Sequence, residues 1–260
     1  MKRIFLLLIV ASTLPSCQYF NSSQELQKNL QVSLVQIQDS SGCINAKMNV
    51  LYFDKQNPAA EKIRLAVAKT QIGNYVSDMQ FDDVEQIQPK FEAFIKKFIA
   101  DGEQCQKELP DAASCCYQLL EELKVSYNNM NILSITDAQW EYTGGAHGNF
   151  WEIHTVFDTE TGKTLMLQDF FNDVNTLANL AEDIFYQQYE LDKNIPLGEQ
   201  GFYFGEGLAE GEFYLTKNFA LHDTHIEFTY NPYEVSSYAT GIVSISIKYE
   251  QIRDLLKVNL

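Results

Sequence analysis

The first half of the chain carries apolar residues at roughly helical spacing. A first stripe runs over residues 57–79, and Asn57-Pro58 at its start gives a capping side chain and then a proline where no amide hydrogen bond is lost. A second stripe over residues 84–99 predicts another helix, which Pro89 should kink or restart. Asp101-Gly102 is expected to end that helix.

Beyond these stripes, apolar and polar residues mostly alternate, which predicts β-strands. Residues 42–53 indicate an earlier strand or strand pair, and an amphipathic helix is expected after Asp169. Because strands group with strands and helices stand between the groups, we expect an α+β fold. Its parts are a helix-bearing N-terminal lobe and an antiparallel sheet lobe with an inserted helix. The later alternating segments are residues 123–127, 133–136, 151–157, 213–219, 226–230 and 243–249.

The N-terminus has the pattern of a bacterial lipoprotein signal. Lys2 and Arg3 precede a short apolar run, which ends in Leu14-Pro15-Ser16-Cys17. The run is far shorter than the roughly 20 residues of a membrane-spanning helix, so we expect a signal peptide at residues 1–16. Cys17 should then be lipidated, with residues 17–41 as a tether that holds the body off the membrane. The alternative is an ordinary secretory signal with an incidental cysteine.

Charge narrows the choice of partners. The formal net charge is −16 at pH 7, and a surface this acidic repels phosphate backbones and anionic headgroups. Nucleic acid is therefore not expected as a partner, and membrane contact is expected only through the lipid. A basic protein would be attracted, although acidity is also a common means of staying soluble. We expect a lipid-anchored, periplasm-facing protein of the cell envelope.

Four further cysteines, in an oxidising compartment, suggest disulfides. A bond between neighbouring Cys115 and Cys116 would be strained, so we expect one of them to pair with Cys105 and the other with Cys43. A zinc site is the competing interpretation, but the chain has no Cys-x-x-Cys motif.

Two blocks of residues carry a family resemblance. One is Tyr142-Thr-Gly-Gly-Ala-His-Gly with the later Phe157-Asp-x-x-Thr-Gly-Lys and Asp169-Phe-Phe. The other is Phe228-x-Tyr-Asn-Pro-Tyr-Glu-Val-x-x-Tyr-Ala-x-Gly241, continued by Val243-Ser-Ile-x-Ile. They resemble the extracytoplasmic domain shared by RsiV-type anti-sigma factors and the accessory region of PdaC-type peptidoglycan deacetylases. The resemblance implies a PdaC-like N-terminal lobe at residues 42–141 and an RsiV-like C-terminal lobe at residues 142–260. It also implies a position beside cell-wall chemistry, either sensing a wall-directed protein such as lysozyme or accompanying a deacetylase.

If the two blocks are neighbours in the fold, they form a candidate binding site. His147 among glycines would then either contact a ligand or hydrogen bond to nearby carbonyl groups and lock a corner of the chain, and we favour the second interpretation. The expected function is non-catalytic binding of a cell-wall glycan or of a wall-active protein. The alternative is an envelope hydrolase using His147 with Glu141 or Asp169. The expected ligand-binding residues are Tyr142, Gly144, Gly145, His147, Asn149, Tyr233 and Tyr238.

The remaining histidines do not predict a metal site, and no cofactor is expected. His222 and His225 flank Asp223 in a segment between two strands, where a polar turn is the favoured interpretation. His154 alternates along a strand and is expected to be solvated or to lie between strands. The glycine-rich segment 201–211 lacks the lysine of a phosphate loop and carries two glutamates, so it is expected to be a loop.

Overall fold

Two β-sheets and four α-helices make up the part of the chain that the structure describes. A computed structural model describes residues 30–55, 57–73, 75–76, 79–110, 112–204 and 212–260. The strands are β1 (Val32–Ser41), β2 (Ile44–Phe53), β3 (Gln118–Asn129), β4 (Ile132–Tyr142), β5 (Asn149–Asp158), β6 (Thr164–Leu165), β7 (Phe219–Leu221), β8 (His225–Tyr230) and β9 (Val243–Lys248). The helices are α1 (Pro58–Gly73), α2 (Ile87–Glu108), α3 (Leu167–Phe170) and α4 (Val174–Gln188).

The topology confirms the expected α+β class. One sheet has six strands in chain order, β1 to β6, and the second has β7, β8 and β9. All neighbouring strands run antiparallel except β2 and β3, which are parallel. Parallel neighbours need a long crossover connection, and α1 and α2 provide it.

The N-terminal core forms between β2 and α2. Alternate residues of β2, among them Ile44 and Met48, are fully buried, and Phe91 and Ile95 of α2 belong to the same cluster. A second core surrounds Phe185 of α4 and the inner face of the three-stranded sheet. In each core, the helices and strands bury their apolar side and keep their polar side at the surface. This is why the spacing of apolar residues in the sequence predicted these elements.

Helix α1 begins where the sequence predicts. The Asn57 side chain accepts hydrogen bonds from the backbone amides of Ala59 and Ala60, both at 2.9 Å. It therefore satisfies two of the amides that have no partner inside the helix. The helix ends at Gly73, earlier than the predicted residue 79.

One expectation for α2 is confirmed and one is wrong. A 3₁₀ turn at Val84–Gln86 comes first and the α-helix starts anew at Ile87, so Pro89 lies in its first turn, where no helical hydrogen bond is lost. The helix does not stop at Asp101-Gly102 but continues to Glu108. Gly102 is buried, and a Cβ there would lie 2.9 Å from the Ile44 Cδ1 atom. This glycine therefore serves the close approach of α2 to β2.

The sheet also changes the expected division of the chain. Residues 32–41 of the predicted tether form β1, so the tether prediction is wrong there. The predicted boundary at residues 141 and 142 falls at the end of β4, inside the six-stranded sheet. The predicted signal peptide at residues 1–16 and Cys17 lie outside the described residues. Within the described ranges, no helix is long and apolar enough to cross a membrane.

Both disulfides agree with the expected pairing. Cys43 is bonded to Cys116, and Cys105 is bonded to Cys115. The first bond joins the β1–β2 turn to the start of β3, and the second ties the end of α2 to the short segment that follows it.

Candidate functional site

The glycine-rich corner between β4 and β5 lies against the segment that follows β8. The His147 ring stacks on Tyr238, with ring centroids 3.9 Å apart and planes 22° apart. The Tyr238 hydroxyl donates a hydrogen bond to the Gly148 carbonyl oxygen at 2.6 Å, and His147 Nδ1 is 2.8 Å from the same oxygen. The two blocks are therefore neighbours, although they belong to different sheets.

Glycine is required at the corner for two reasons. Gly144 and Gly145 have φ angles of 100° and 91°, which favour residues without a Cβ. Gly148 has an ordinary φ, but a Cβ there would clash with the Trp140 ring. The corner therefore follows a path that only this run of glycines permits.

Beside the corner, a groove of about 750 Å³ follows the outer edge of β5. Its walls combine one aromatic ring, Trp151, with side-chain amides, two carboxylates and one lysine. Trp151 is half-buried, and Tyr75 packs against it with ring centroids 5.7 Å apart. The lining residues are Glu141, Asn149, Trp151, Ile153, His154, Lys217, Asn218, Asn231, Pro232 and Glu234.

Two asparagines replace a neighbouring strand at this edge. Asn218 accepts from the His154 amide at 2.7 Å and donates to the Glu152 carbonyl oxygen at 2.8 Å. Asn231 accepts from the Glu152 amide at 2.7 Å and donates to the Glu152 carbonyl oxygen at 3.0 Å. An unpaired strand edge invites another chain to add to it, and these amides satisfy the edge instead. They also join β5 to the three-stranded sheet and so fix the base of the groove.

The groove has a mixed electrostatic character. Glu141 and Glu234 face it together with Lys217. Burial raises the pKa of the Glu141 carboxyl above its usual range, because the charged form loses water there. Such a set offers both hydrogen-bond donors and acceptors to a neutral polar ligand.

His154 is buried rather than solvated, and it links the two sheets. Its Nδ1 is 2.9 Å from the Thr136 hydroxyl on β4, and its Nε2 is 2.8 Å from the Thr229 hydroxyl on β8. Burial lowers its pKa to about 4, so the imidazole is neutral at neutral pH.

The expected ligand-binding residues divide between groove and corner. Asn149 lines the groove. The Tyr142 hydroxyl donates to the Gly145 carbonyl oxygen at 3.2 Å within the corner. Tyr233 is 66% exposed, with its ring 5.8 Å from that of Tyr238. Together with the segment after β8 that packs on it, the corner contains Tyr142, Gly144, Gly145, His147, Tyr233 and Tyr238. It borders the groove.

Sequence reasoning missed Lys217 and Asn218 as groove residues. The two residues are adjacent and come just before β7, and neither is part of a recognisable sequence motif. Asn231 belongs to the second family block, but its sequence indicates only a turn.

The geometry gives no support to a hydrolase centre at His147. The Asp169 carboxylate accepts a hydrogen bond from the Met166 amide at 2.8 Å and so caps α3. Throughout the described ranges, neither Asp169 nor Glu141 lies within ion-pair distance of His147. The imidazole instead packs on Tyr238 and bonds to the backbone, as the favoured interpretation expected.

Comparisons with known proteins match the two parts of the chain separately. Residues 37–150 match the family described as "Deacetylase PdaC", and residues 168–250 match "Protein of unknown function (DUF3298)". The chain joins a PdaC-type region to a DUF3298 region. This confirms the family resemblance seen in the two sequence blocks.

Relatives of the PdaC-type and DUF3298 regions are known from several bacteria. The chain is 27% identical over 173 residues to the peptidoglycan-N-acetylmuramic acid deacetylase PdaC of Bacillus subtilis. That match takes in 65% of this chain but only 36% of the Bacillus enzyme.

Two crystal structures of DUF3298 proteins share the fold. One, from Bacteroides fragilis, has a TM-score of 0.68 at 24% identity, and one from Pseudomonas aeruginosa has a TM-score of 0.60 at 16% identity. Each match covers 89% of this chain and 96% of the other. The fold of this chain is therefore found in other solved proteins.

Proposed function

We propose that this protein is a non-catalytic component of the bacterial cell envelope that binds a cell-wall glycan in the groove beside β5. The groove itself carries the proposal, because it combines a half-buried tryptophan with amide and carboxylate groups on a fixed base. Lipid anchoring at Cys17 and a periplasm-facing position belong to the same proposal.

The groove chemistry suits a sugar chain. A pyranose ring has apolar C–H faces that pack on an aromatic ring, and its hydroxyls need both donors and acceptors. Trp151 offers the ring, while Asn149, Lys217 and Glu234 offer the polar groups. At about 750 Å³, the groove lies in the range of small-ligand sites.

The comparisons support the choice of ligand class. The matched Bacillus protein is a peptidoglycan-N-acetylmuramic acid deacetylase, and the similarity covers about a third of it. A region that accompanies such an enzyme could bind the glycan on which the enzyme acts and so hold the substrate near the catalytic domain. An envelope location and a glycan ligand are both consistent with that relationship.

Replacing Trp151 by alanine should weaken binding of peptidoglycan fragments about thirtyfold or more, as expected for loss of a central aromatic anchor. The measurement is calorimetric titration of the full chain with soluble disaccharide and tetrasaccharide fragments. Tyr233→Ala is the matched control, because Tyr233 is an exposed aromatic residue of the neighbouring corner. We expect it to retain affinity within about twofold.

Two results would contradict the groove assignment. Wild-type protein that shows no saturable binding would remove the glycan proposal altogether. A large loss in Tyr233→Ala together with unchanged Trp151→Ala would move the site to the corner.

A basic wall-active protein is the second candidate partner, favoured by the net charge of −16. If lysozyme binds through this charge, its association rate constant should fall about tenfold or more between 20 and 150 mM salt, because screening shortens the range of the attraction. Stopped-flow or surface plasmon resonance measurements across this range would test it. An association rate that does not change with salt would argue against electrostatic attraction.

A further inference from the structure

The structure brings His222, His225 and Glu227 together at the β7–β8 hairpin. His222 follows β7, and His225 and Glu227 lie two residues apart on one face of β8. One ligand atom from each of the three residues lies within 4.8 Å of the others. All three side chains are half-buried, so the cluster is reachable from solvent but shielded on one side.

The backbone around the cluster is fixed. The His222 amide donates to the His225 carbonyl oxygen at 2.9 Å, and the Tyr249 hydroxyl donates to the His222 carbonyl oxygen at 2.8 Å. The two imidazole rings stack with centroids 4.3 Å apart and planes only 4° apart, so one ring must turn about its side-chain bonds before both can direct a nitrogen at the same ion. On the other face of β8, Phe228 is in the core and holds the strand in register.

One atom in the cluster lacks the partner that its burial demands. His222 Nε2 is shielded from solvent and has no hydrogen-bond partner among the described residues. The nearest carboxylate oxygen, Glu227 Oε2, is 3.8 Å away, which is too long for a hydrogen bond. The other Glu227 oxygen is only weakly engaged, at 3.5 Å from the Thr229 hydroxyl.

We propose that His222, His225 and Glu227 bind a divalent zinc ion. Two zinc–ligand bonds of ordinary length together span about 4.2 Å, so an ion fits between His222 Nε2 and Glu227 Oε2 at their present separation of 3.8 Å. Two imidazoles and one carboxylate suit zinc, whereas calcium and magnesium prefer oxygen ligands alone. Three protein ligands leave a fourth position for water.

The neighbouring groups favour these three residues as zinc ligands over a second possible set. A second set of residues, Glu152, His154 and Glu227, is also close together. Both nitrogens of His154 already have threonine partners, however, so that set lacks a free ligand atom.

Asp223 lies between the two histidines in the sequence, but the residue whose ligand atom lies near theirs is Glu227. Alternation along β8 places His225 and Glu227 on the same side of the strand. The hairpin then returns His222 to that side. Zinc would therefore clamp the β7–β8 hairpin, and Glu227 also lies near His154, which lines the proposed glycan groove.

Zinc titration of the purified full chain tests the proposal. The Cys17→Ser background is used, because the other four cysteines of the five are in disulfides. After treatment with a chelator, we expect saturable binding of one Zn²⁺ per chain by calorimetry and a higher Tm with zinc than without it. Ca²⁺ at the same concentration should produce neither effect.

Variants locate the site. His222→Ala and Glu227→Gln should each weaken zinc binding about tenfold or more, with near-UV circular dichroism confirming the fold. His147→Ala, which removes an exposed histidine outside the cluster, should leave affinity unchanged. Absence of saturable binding, or equal losses in His147→Ala and His222→Ala, would overturn the assignment.

Discussion

Replacing Cys43 and Cys116 together by alanine is expected to lower the free energy of unfolding by about 4 kcal/mol. This disulfide joins residues 73 positions apart and closes the whole crossover from β2 through α1 and α2 to β3. In its absence the unfolded chain regains the freedom of that long loop. Guanidinium unfolding of the double variant and of the wild type measures the difference.

The second disulfide provides the matched comparison. Cys105 and Cys115 are only 10 positions apart, so the corresponding double alanine variant should lose about 3 kcal/mol, at least 1 kcal/mol less than the other. Alanine avoids leaving a hydroxyl at the fully buried position 115. Equal losses in the two variants, or a larger loss for the short loop, would contradict the loop argument.

Features that depend on neighbours along the chain could be predicted from the sequence. Asn57 caps α1 through amides two and three residues away, and the alternation along β9 shows its buried face. Gly102 shows the limit of this reasoning. A glycine near a helix end is typical of a stop signal, but here it serves contact with Ile44, far away in the sequence.

Strand β1 was missed because its side chains carry no pattern. Most of them are exposed, and the strand is held by pairing with β2 along all ten of its residues. Backbone hydrogen bonds of this kind do not depend on side-chain type, so a polar strand at a sheet edge resembles a tether in the sequence.

The candidate site was predictable only in part. The family blocks drew attention to the corner, but from the sequence their proximity was only a condition, and the stacking of His147 on Tyr238 comes from the structure. The groove depends on Asn218 and Asn231, which bond to the backbone of β5 across 64 to 79 positions. No local spacing encodes contacts at that separation.

A pair of buried carboxyl groups lies beneath α1. Glu121 on β3 and Asp137 on β4 are 0% and 3% exposed. The Glu121 carboxylate accepts hydrogen bonds from the Gln71 side chain and from the backbone amide of Asn49, both at 2.7 Å. The Gln139 side chain donates a hydrogen bond to the Asp137 carboxylate. Burial raises the pKa of Asp137 to about 7, and burial together with the nearby Asp137 charge raises that of Glu121.

These pKa shifts determine whether the free energy of unfolding rises or falls with pH. Because the folded pKa of Asp137 lies above its ordinary value of 3.8, the folded state holds a proton that the unfolded chain has already released. The stabilisation is therefore fully present below about pH 4 and is lost as pH rises through about 7. We expect this part of the wild-type stability to fall by a few kcal/mol between pH 4 and pH 8.

Asp137→Asn should flatten this dependence. The amide cannot ionise, and Glu121 no longer faces a second negative charge. The variant should consequently be more stable than the wild type at pH 8 and lose less stability between pH 5 and pH 8. Urea unfolding at the two pH values measures both effects, with Glu122→Gln, on the opposite face of β3, as the control that keeps the wild-type dependence. Parallel pH profiles for Asp137→Asn and the wild type would show that the buried pair does not govern the response, because any other carboxylate would titrate equally in both proteins.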